Sequence, residues 1–233
     1  MRFVLPPLPR TAIPVSGTDG FFPVGRVFCV GRNYADHARE MGGDPHKEPP
    51  FFFSKPGDAV VPLGGAVPYP QATSNLHHEV ELVVALGGGG HDIAPDKALD
   101  LVWGYAVGID LTRRDLQDSA KRAGRPWDMA KGFEASGPVG AITPAATTGA
   151  LTSGAISLSV NGVPRQTGDL KDMIWPVSDV ISFLSRLMVL RPGDLIFTGT
   201  PAGVGPVEEG DELRAEIAGL DPLTLTLVAG PVL

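Results

Sequence analysis

Three carboxylates stand where they could hold a hard cation. Glu79 and Glu81 lie two apart in His78-Glu-Val-Glu-Leu82, so in an extended strand both leave one face while Val80, Leu82, Val84 and Leu86 leave the other. By itself Glu-x-Glu reads first as a solvated strand face. Asp110 changes the weighing. It follows Trp103 to Ile109, where Trp103, Tyr105, Val107 and Ile109 alternate with Gly104, Ala106 and Gly108, and its own face is the one stripped of side chains, which something must approach closely. A third carboxylate at such an opening suits a cation that also needs room for substrate oxygens. Three carboxylates without thiolates favour Mg²⁺, with Mn²⁺ as the near equivalent, over Zn²⁺. His77 shares the carboxylate face, which keeps a histidine-containing zinc site open. Neither His77 nor His78 has the spacing of the familiar zinc motifs, however, and packing or support of the ligands is the preferred role for both.

The elements that must position these groups are short. Val27 to Val30 reads as a strand, and Asn33 with Asp36 resembles a capping signal for a helix from Tyr34 to Met41. Gly42 to Pro50 carries turn residues and no apolar period, the composition of a lid. Strands are predicted over 51–54 and 76–86, the second ending at Gly87 to Gly90. That glycine run lacks a following Gly-Lys-Ser/Thr and a G-x-G-x-x-G spacing, so it reads as a flexible hairpin connection rather than a phosphate or dinucleotide site. Residues 111–123 are helical in composition. Ile156 to Val160, Asn161-Gly162 and Val163 to Gln166 form the strongest hairpin signal in the chain. Val180, Ile181, Leu184, Leu187 and Met188 mark a helix over 177–190 with Ser178 as N-cap. Strands then follow near 195–198, 212–217 and 223–228.

The chain has 233 residues, 43% hydrophobic and 19% charged, with 30 Gly and 23 Pro. That length fits one core, and that density of Gly and Pro predicts an α+β, β-rich fold with few and short helices. Net charge is −7 without a Lys/Arg run, which argues against nucleic acid as a partner. No apolar stretch approaches the ~20 residues of a membrane helix, and the proline-rich start does not read as a signal peptide. The single Cys29 reads as a buried strand residue in a reducing cytoplasm.

Read together, Val30-Gly-Arg-Asn-Tyr-Ala-Asp-His37, Phe53-Ser-Lys-Pro56, His78-Glu-Val-Glu-Leu82, Gly108 to Gln117, Lys131-Gly-Phe133, Gly168-Asp169 and Phe197 to Gly205 resemble the fumarylacetoacetate hydrolase family. The short form resembles its acylpyruvate hydrolases, and the Gly42 to Ser54 stretch its bacterial fumarylpyruvate hydrolases. The resemblance implies a mixed β-roll or barrel-like core. It divides the chain into a lead segment, 1–22, packed on a single catalytic domain, 23–233. It further implies a homodimer, a 2,4-dioxo acid substrate, and Mg²⁺ held by Glu79, Glu81 and Asp110. His37 and Glu40 would act as a dyad, which their i, i+3 spacing on a helix permits. Lys131 would face substrate oxygens. Arg114 and Gln117, also i and i+3, would meet the substrate carboxylate, with Thr200 nearby and Lys55 as a positioning residue. Arg39, His46 and Lys47, on or beside the lid, are the candidates for a distal carboxylate.

A decarboxylase, isomerase or hydratase acting on a similar oxo acid is the competing enzymatic reading, since one metal site stabilises any enolate. A metal-stabilised binding protein would need the carboxylates but not His37, Glu40 and Lys131.

Overall fold

The computed structural model describes residues 3–40 and 49–230. Most of the expected lid, with His46 and Lys47, lies outside the described residues. In chain order the strands are β1 (Ala12–Pro14), β2 (Phe21–Pro23), β3 (Val27–Val30), β4 (Phe52–Lys55), β5 (Val60–Pro62), β6 (Gly65–Pro68), β7 (Leu76–His78), β8 (Val80–Leu86) and β9 (Val102–Ile109). They continue as β10 (Thr112–Arg113), β11 (Gly137–Val139), β12 (Thr143–Pro144), β13 (Ala155–Val160), β14 (Val163–Asp169), β15 (Leu195–Phe197), β16 (Gly205–Val207), β17 (Glu212–Ile217) and β18 (Leu223–Val228). The α-helices are α1 (Ala35–Glu40), α2 (Pro95–Ala98), α3 (Arg114–Ala123), α4 (Asp128–Lys131), α5 (Ala145–Thr148) and α6 (Val177–Leu187). The fold is α+β and β-rich.

The largest sheet runs β4-β3-β15-β8-β9-β11-β5, with β12 also paired to β9. It is mixed: β15 lies parallel to β3 and β11 parallel to β5, while β8 is antiparallel to both β15 and β9. A second sheet runs β14-β13-β17-β18-β6, and a small one runs β10-β7-β16. Central β8 is buried along its whole length. Its alternation sends Val80, Leu82, Val84 and Leu86 into the larger hydrophobic cluster and Val83 and Ala85 into the second, on the side of Cys29, Ala106 and Phe197. With roughly 1.5–3 kcal/mol for each large side chain so buried, β8 is anchored from both faces. The β1–β2 hairpin adds Ile13 and Phe22 to the second cluster.

Several local expectations change. Asn33 does not cap α1: its amide donates to the carbonyls of Trp175 and Thr198, and its Oδ1 accepts from Trp175 N–H. The N-cap of α6 is Pro176, so Ser178 lies within the first turn and the helix ends at Leu187. The Gly87 to Gly90 run is packed rather than loose. Gly87 and Gly88 donate to Leu101 O and Gly90 to Leu190 O, and a Cβ on Gly89 would meet Leu190 O at 2.2 Å. The small face of β9 admits protein rather than ligand, for a Cβ on Gly108 would meet Val83 Cγ2 at 2.5 Å and Phe197 Cε1 at 2.9 Å.

Candidate active site

The pairing of β8 with β9 explains why the three carboxylates meet. Val80 faces Ile109 and Glu81 faces Gly108; extended by one residue, that antiparallel register sets Glu79 opposite Asp110, whose N–H donates to Glu79 O at 2.8 Å. Glu79 is not itself a strand residue, since it occupies the break between β7 and β8. Glu79, Glu81 and Asp110 are all buried and each offers an oxygen within 4.8 Å of the others. Among the described residues neither His77 nor His78 belongs to this group. His77 instead meets Asn75 Oδ1 and accepts from Arg114 Nε, while His78 meets Gln166 Oε1.

Cations surround the carboxylates. Lys131 Nζ donates to Glu79 Oε2 at 2.8 Å, Asp110 Oδ2 at 2.7 Å and Thr112 Oγ1 at 2.6 Å. Arg114 Nη2 donates to Glu79 Oε1, and its Nη1 to Gln117 Oε1 at 2.6 Å. Lys55 is enclosed beneath the site: its Nζ lies 2.8 Å from Asp110 Oδ1 and donates to the carbonyls of Lys131 and Leu111. That contact is not aligned as a hydrogen bond, so Asp110 Oδ1 is buried without one. Thr200 Oγ1 accepts from Gln166 Nε2 at 2.7 Å.

Burial would raise the Glu79 pKa, but Lys131 and Arg114 outweigh it and hold the carboxyl well below the usual range. Glu81 goes the other way, pushed well above the carboxylate range by burial and by the charges of Asp110 and Glu79. Among the described residues its one aligned donor is Gly199 N–H, at 2.6 Å. A Glu81 carboxylate short of positive charge and an all-oxygen donor set fit a hard divalent cation. Burial lowers the Lys131 pKa, yet Asp110 and Glu79 raise it more, and the ammonium stays charged.

His37 Nδ1 lies 3.1 Å from Glu40 Oε2, so with Glu40 ionised the ring donates through Nδ1 and leaves Nε2 free to accept. Glu40 also accepts from Gly203 N–H. Burial lowers the His37 pKa against the raising influence of Glu79 and Glu40. His37, Glu79, Arg114, Gln117 and Lys131 line one small cavity. A cleft of about 460 Å³ lies between Phe51, Phe53, Arg125 and Trp127, and Trp127 also lines the small cavity. Arg39 turns away to pair with Asp36 on the surface. Gln166 was not singled out in the sequence: its Oε1 accepts from Val80 N–H at the start of β8, and its Nε2 donates to Thr200 and Pro201 O.

A mixed-sheet scaffold with three buried, converging carboxylates beside a His–Glu pair defines the class of protein. The chain belongs to the fumarylacetoacetate hydrolase family: the profile of the fumarylacetoacetate (FAA) hydrolase C-terminal domain matches residues 26–228. A fumarylpyruvate hydrolase from Pseudomonas aeruginosa, solved with Mn²⁺ and pyruvate, is 50% identical with a TM-score of 0.95, covering 98% of this chain and 100% of that one. The oxaloacetate tautomerase FAHD1, mitochondrial, of Bos taurus is 46% identical over 194 residues, 83% of this chain and 87% of its own. Its Homo sapiens counterpart is 45% identical over 198 residues, 85% of this chain and 89% of its own. Hydrolases and tautomerases are thus both among the relatives. No described helix is long and apolar enough to cross a membrane.

Proposed function

We propose that the protein is a Mg²⁺-dependent acylpyruvate hydrolase that cleaves fumarylpyruvate with water to fumarate and pyruvate. The observation that carries the reading is the whole-length similarity to a fumarylpyruvate hydrolase solved with Mn²⁺ and pyruvate. The contact of His37 Nδ1 with Glu40 supports it by favouring an imidazole able to accept a proton at Nε2. A divalent cation held by Glu79, Glu81 and Asp110 supplies Lewis-acid polarisation of the 2-oxo acid.

The chain's own groups do the rest. Arg114 and Gln117 orient the pyruvyl carboxylate, and the Arg114 fork suits that planar anion. His37 Nε2 takes a proton from water, whose oxygen adds to the acyl carbonyl beyond the pyruvyl methylene, while Glu40 holds Nδ1 and stabilises the imidazolium. The Lys131 ammonium offsets the charge on the resulting oxyanion. Collapse breaks the carbon–carbon bond, the electron pair leaves on the methylene as an enolate, and the proton on His37 passes to that carbon. The released acid loses its proton to solvent.

The tautomerase relatives favour a second reading, in which the same base moves a proton within oxaloacetate and no water adds. Pyruvate release from fumarylpyruvate, measured beside enol–keto interconversion of oxaloacetate, separates the two. Interconversion without pyruvate release would overturn the hydrolase reading. Homodimer formation is part of the same proposal and is checked by light scattering in solution.

A further inference from the structure

We infer that Arg32 and Lys121 form a clamp that selects substrates carrying a carboxylate at the far end of the acyl group. The inference rests on the acylpyruvate reading and names the part of the cavity that chooses the tail.

Both side chains line the cavity that His37, Glu79 and Lys131 line. The cations of that cavity fall into two sets. Lys131 and Arg114 are committed to Glu79, and Lys131 also to Asp110. Arg32 makes no ion pair among the described residues, and Lys121 has only Asp118, at 4.0 Å. Both are half-buried rather than extended into solvent. Two partly desolvated cations, of which only Lys121 has a carboxylate within 4.0 Å among the described residues, leave this end of the cavity positive, and an anion would neutralise it. Burial and the charges of Arg114 and Arg32 push the Lys121 ammonium below its ordinary pKa, outweighing the pull of Asp118 and Glu79.

The aromatic surroundings give this end a shape. Arg32 lies over Phe51, 5.7 Å from the ring centroid, and Lys121 over Trp127 at 5.3 Å. The two rings meet edge to face at 5.4 Å. This fixes both cations against flat apolar walls. The cavity as it stands measures about 10 Å³, room for one water, so a bound substrate must open it towards the cleft of about 460 Å³ that Phe51 and Trp127 line. A planar unsaturated tail would then lie on those walls with its terminal carboxylate at the two cations and its pyruvyl end at Arg114 and Lys131. A neutral methyl tail could use the walls alone.

The test compares kcat/KM for fumarylpyruvate and acetylpyruvate, with Mg²⁺, in the wild type, Arg32→Gln, Lys121→Gln and the double variant. A charge-assisted contact is worth about tenfold or more. The fumarylpyruvate preference should therefore fall at least tenfold in each single variant and further in the double, with Arg32→Lys recovering part of it. A preference preserved in the double variant, whether both rates fall together or neither moves, overturns the clamp and leaves the two cations as packing for Phe51 and Trp127. Wild-type turnover judges the reaction separately. If neither substrate is hydrolysed, calorimetric affinities for fumarate and crotonate read the same discrimination. Loss of the fumarate preference in the variants then upholds the clamp although the hydrolase reading has failed, and its retention overturns both.

Discussion

Replacing Lys131 with Met separates the two ways in which the carboxylates can be neutralised. The Lys131 ammonium lies 2.8 Å from Glu79 Oε2 and 2.7 Å from Asp110 Oδ2, with all three side chains less than a tenth exposed. Solvent screening is therefore slight, and removing one partner of such a buried group costs about 3–5 kcal/mol. In a domain of this size each kcal/mol moves Tm by about 2–4 °C. The metal-free variant should accordingly melt on the order of 6–20 °C below wild type. In excess Mg²⁺ the gap should narrow, because a divalent cation supplies the positive charge that Lys131 withdrew, and binding to the folded state alone stabilises it. For the same reason the variant should bind Mn²⁺ more tightly than wild type while losing turnover. Thermal unfolding in EDTA and in excess Mg²⁺, with a Mn²⁺ titration by calorimetry, measures all three. A Tm gap of equal size in both conditions would refute the shared-charge reasoning, and so would no gap at all.

Three further outcomes are expected. Asp110→Asn removes a charge but little volume, so the protein should fold while Mn²⁺ affinity falls more than tenfold; an unchanged titration would remove Asp110 from the ligand set. The depressed His37 pKa fixes the sign of the pH response. In the proposed mechanism the neutral ring is the base, so kcat/KM should rise with pH through a midpoint below about 6.5, and a midpoint above it would assign the limb to another group. Because the unfolded chain binds this proton up to about pH 6.5 and the folded chain releases it at lower pH, His37 also makes stability rise with pH across that window. Gly108→Ala drives a methyl into Val83 and Phe197, an overpacking cost of about 1–3 kcal/mol that should lower Tm by roughly 2–12 °C; calorimetry showing a wild-type Tm would mean that those side chains yield freely.

The sequence makes legible what neighbours in the chain decide. Asn161-Gly162 marks the β13–β14 hairpin because its turn needs two positive φ angles, observed at 51° and 75°. The apolar period of α6 and the alternation of β9 were legible for the same local reason. The convergence of Glu79, Glu81 and Asp110 was half legible, since each lies at a strand or strand end, but only the β8–β9 register says that Glu79 and Asp110 stand opposite each other. Asn33 shows where such reading stops. An Asn before a short helix carries the composition of a cap, and nothing nearby reveals that its partners are Trp175 and Thr198, more than 140 positions away. Gln166 was hidden similarly, as an ordinary hairpin residue whose amide props up β8. The glycine run gave the wrong impression because composition reports freedom in the unfolded chain and not crowding in the folded one.

The burial of β8 on both faces has a consequence in time. Amides in such a strand exchange with solvent only when the whole domain opens, so the Glu81 half of the site endures for as long as the folded state itself. His37 and Glu40 sit instead on α1, at the rim of the described fold, where Glu40 is exposed and its contact to Gly203 N–H lies at the surface. Deuterium uptake should resolve the two halves into different clocks, the acidic half keeping the slow time of global unfolding and the base half the faster time of one detaching turn.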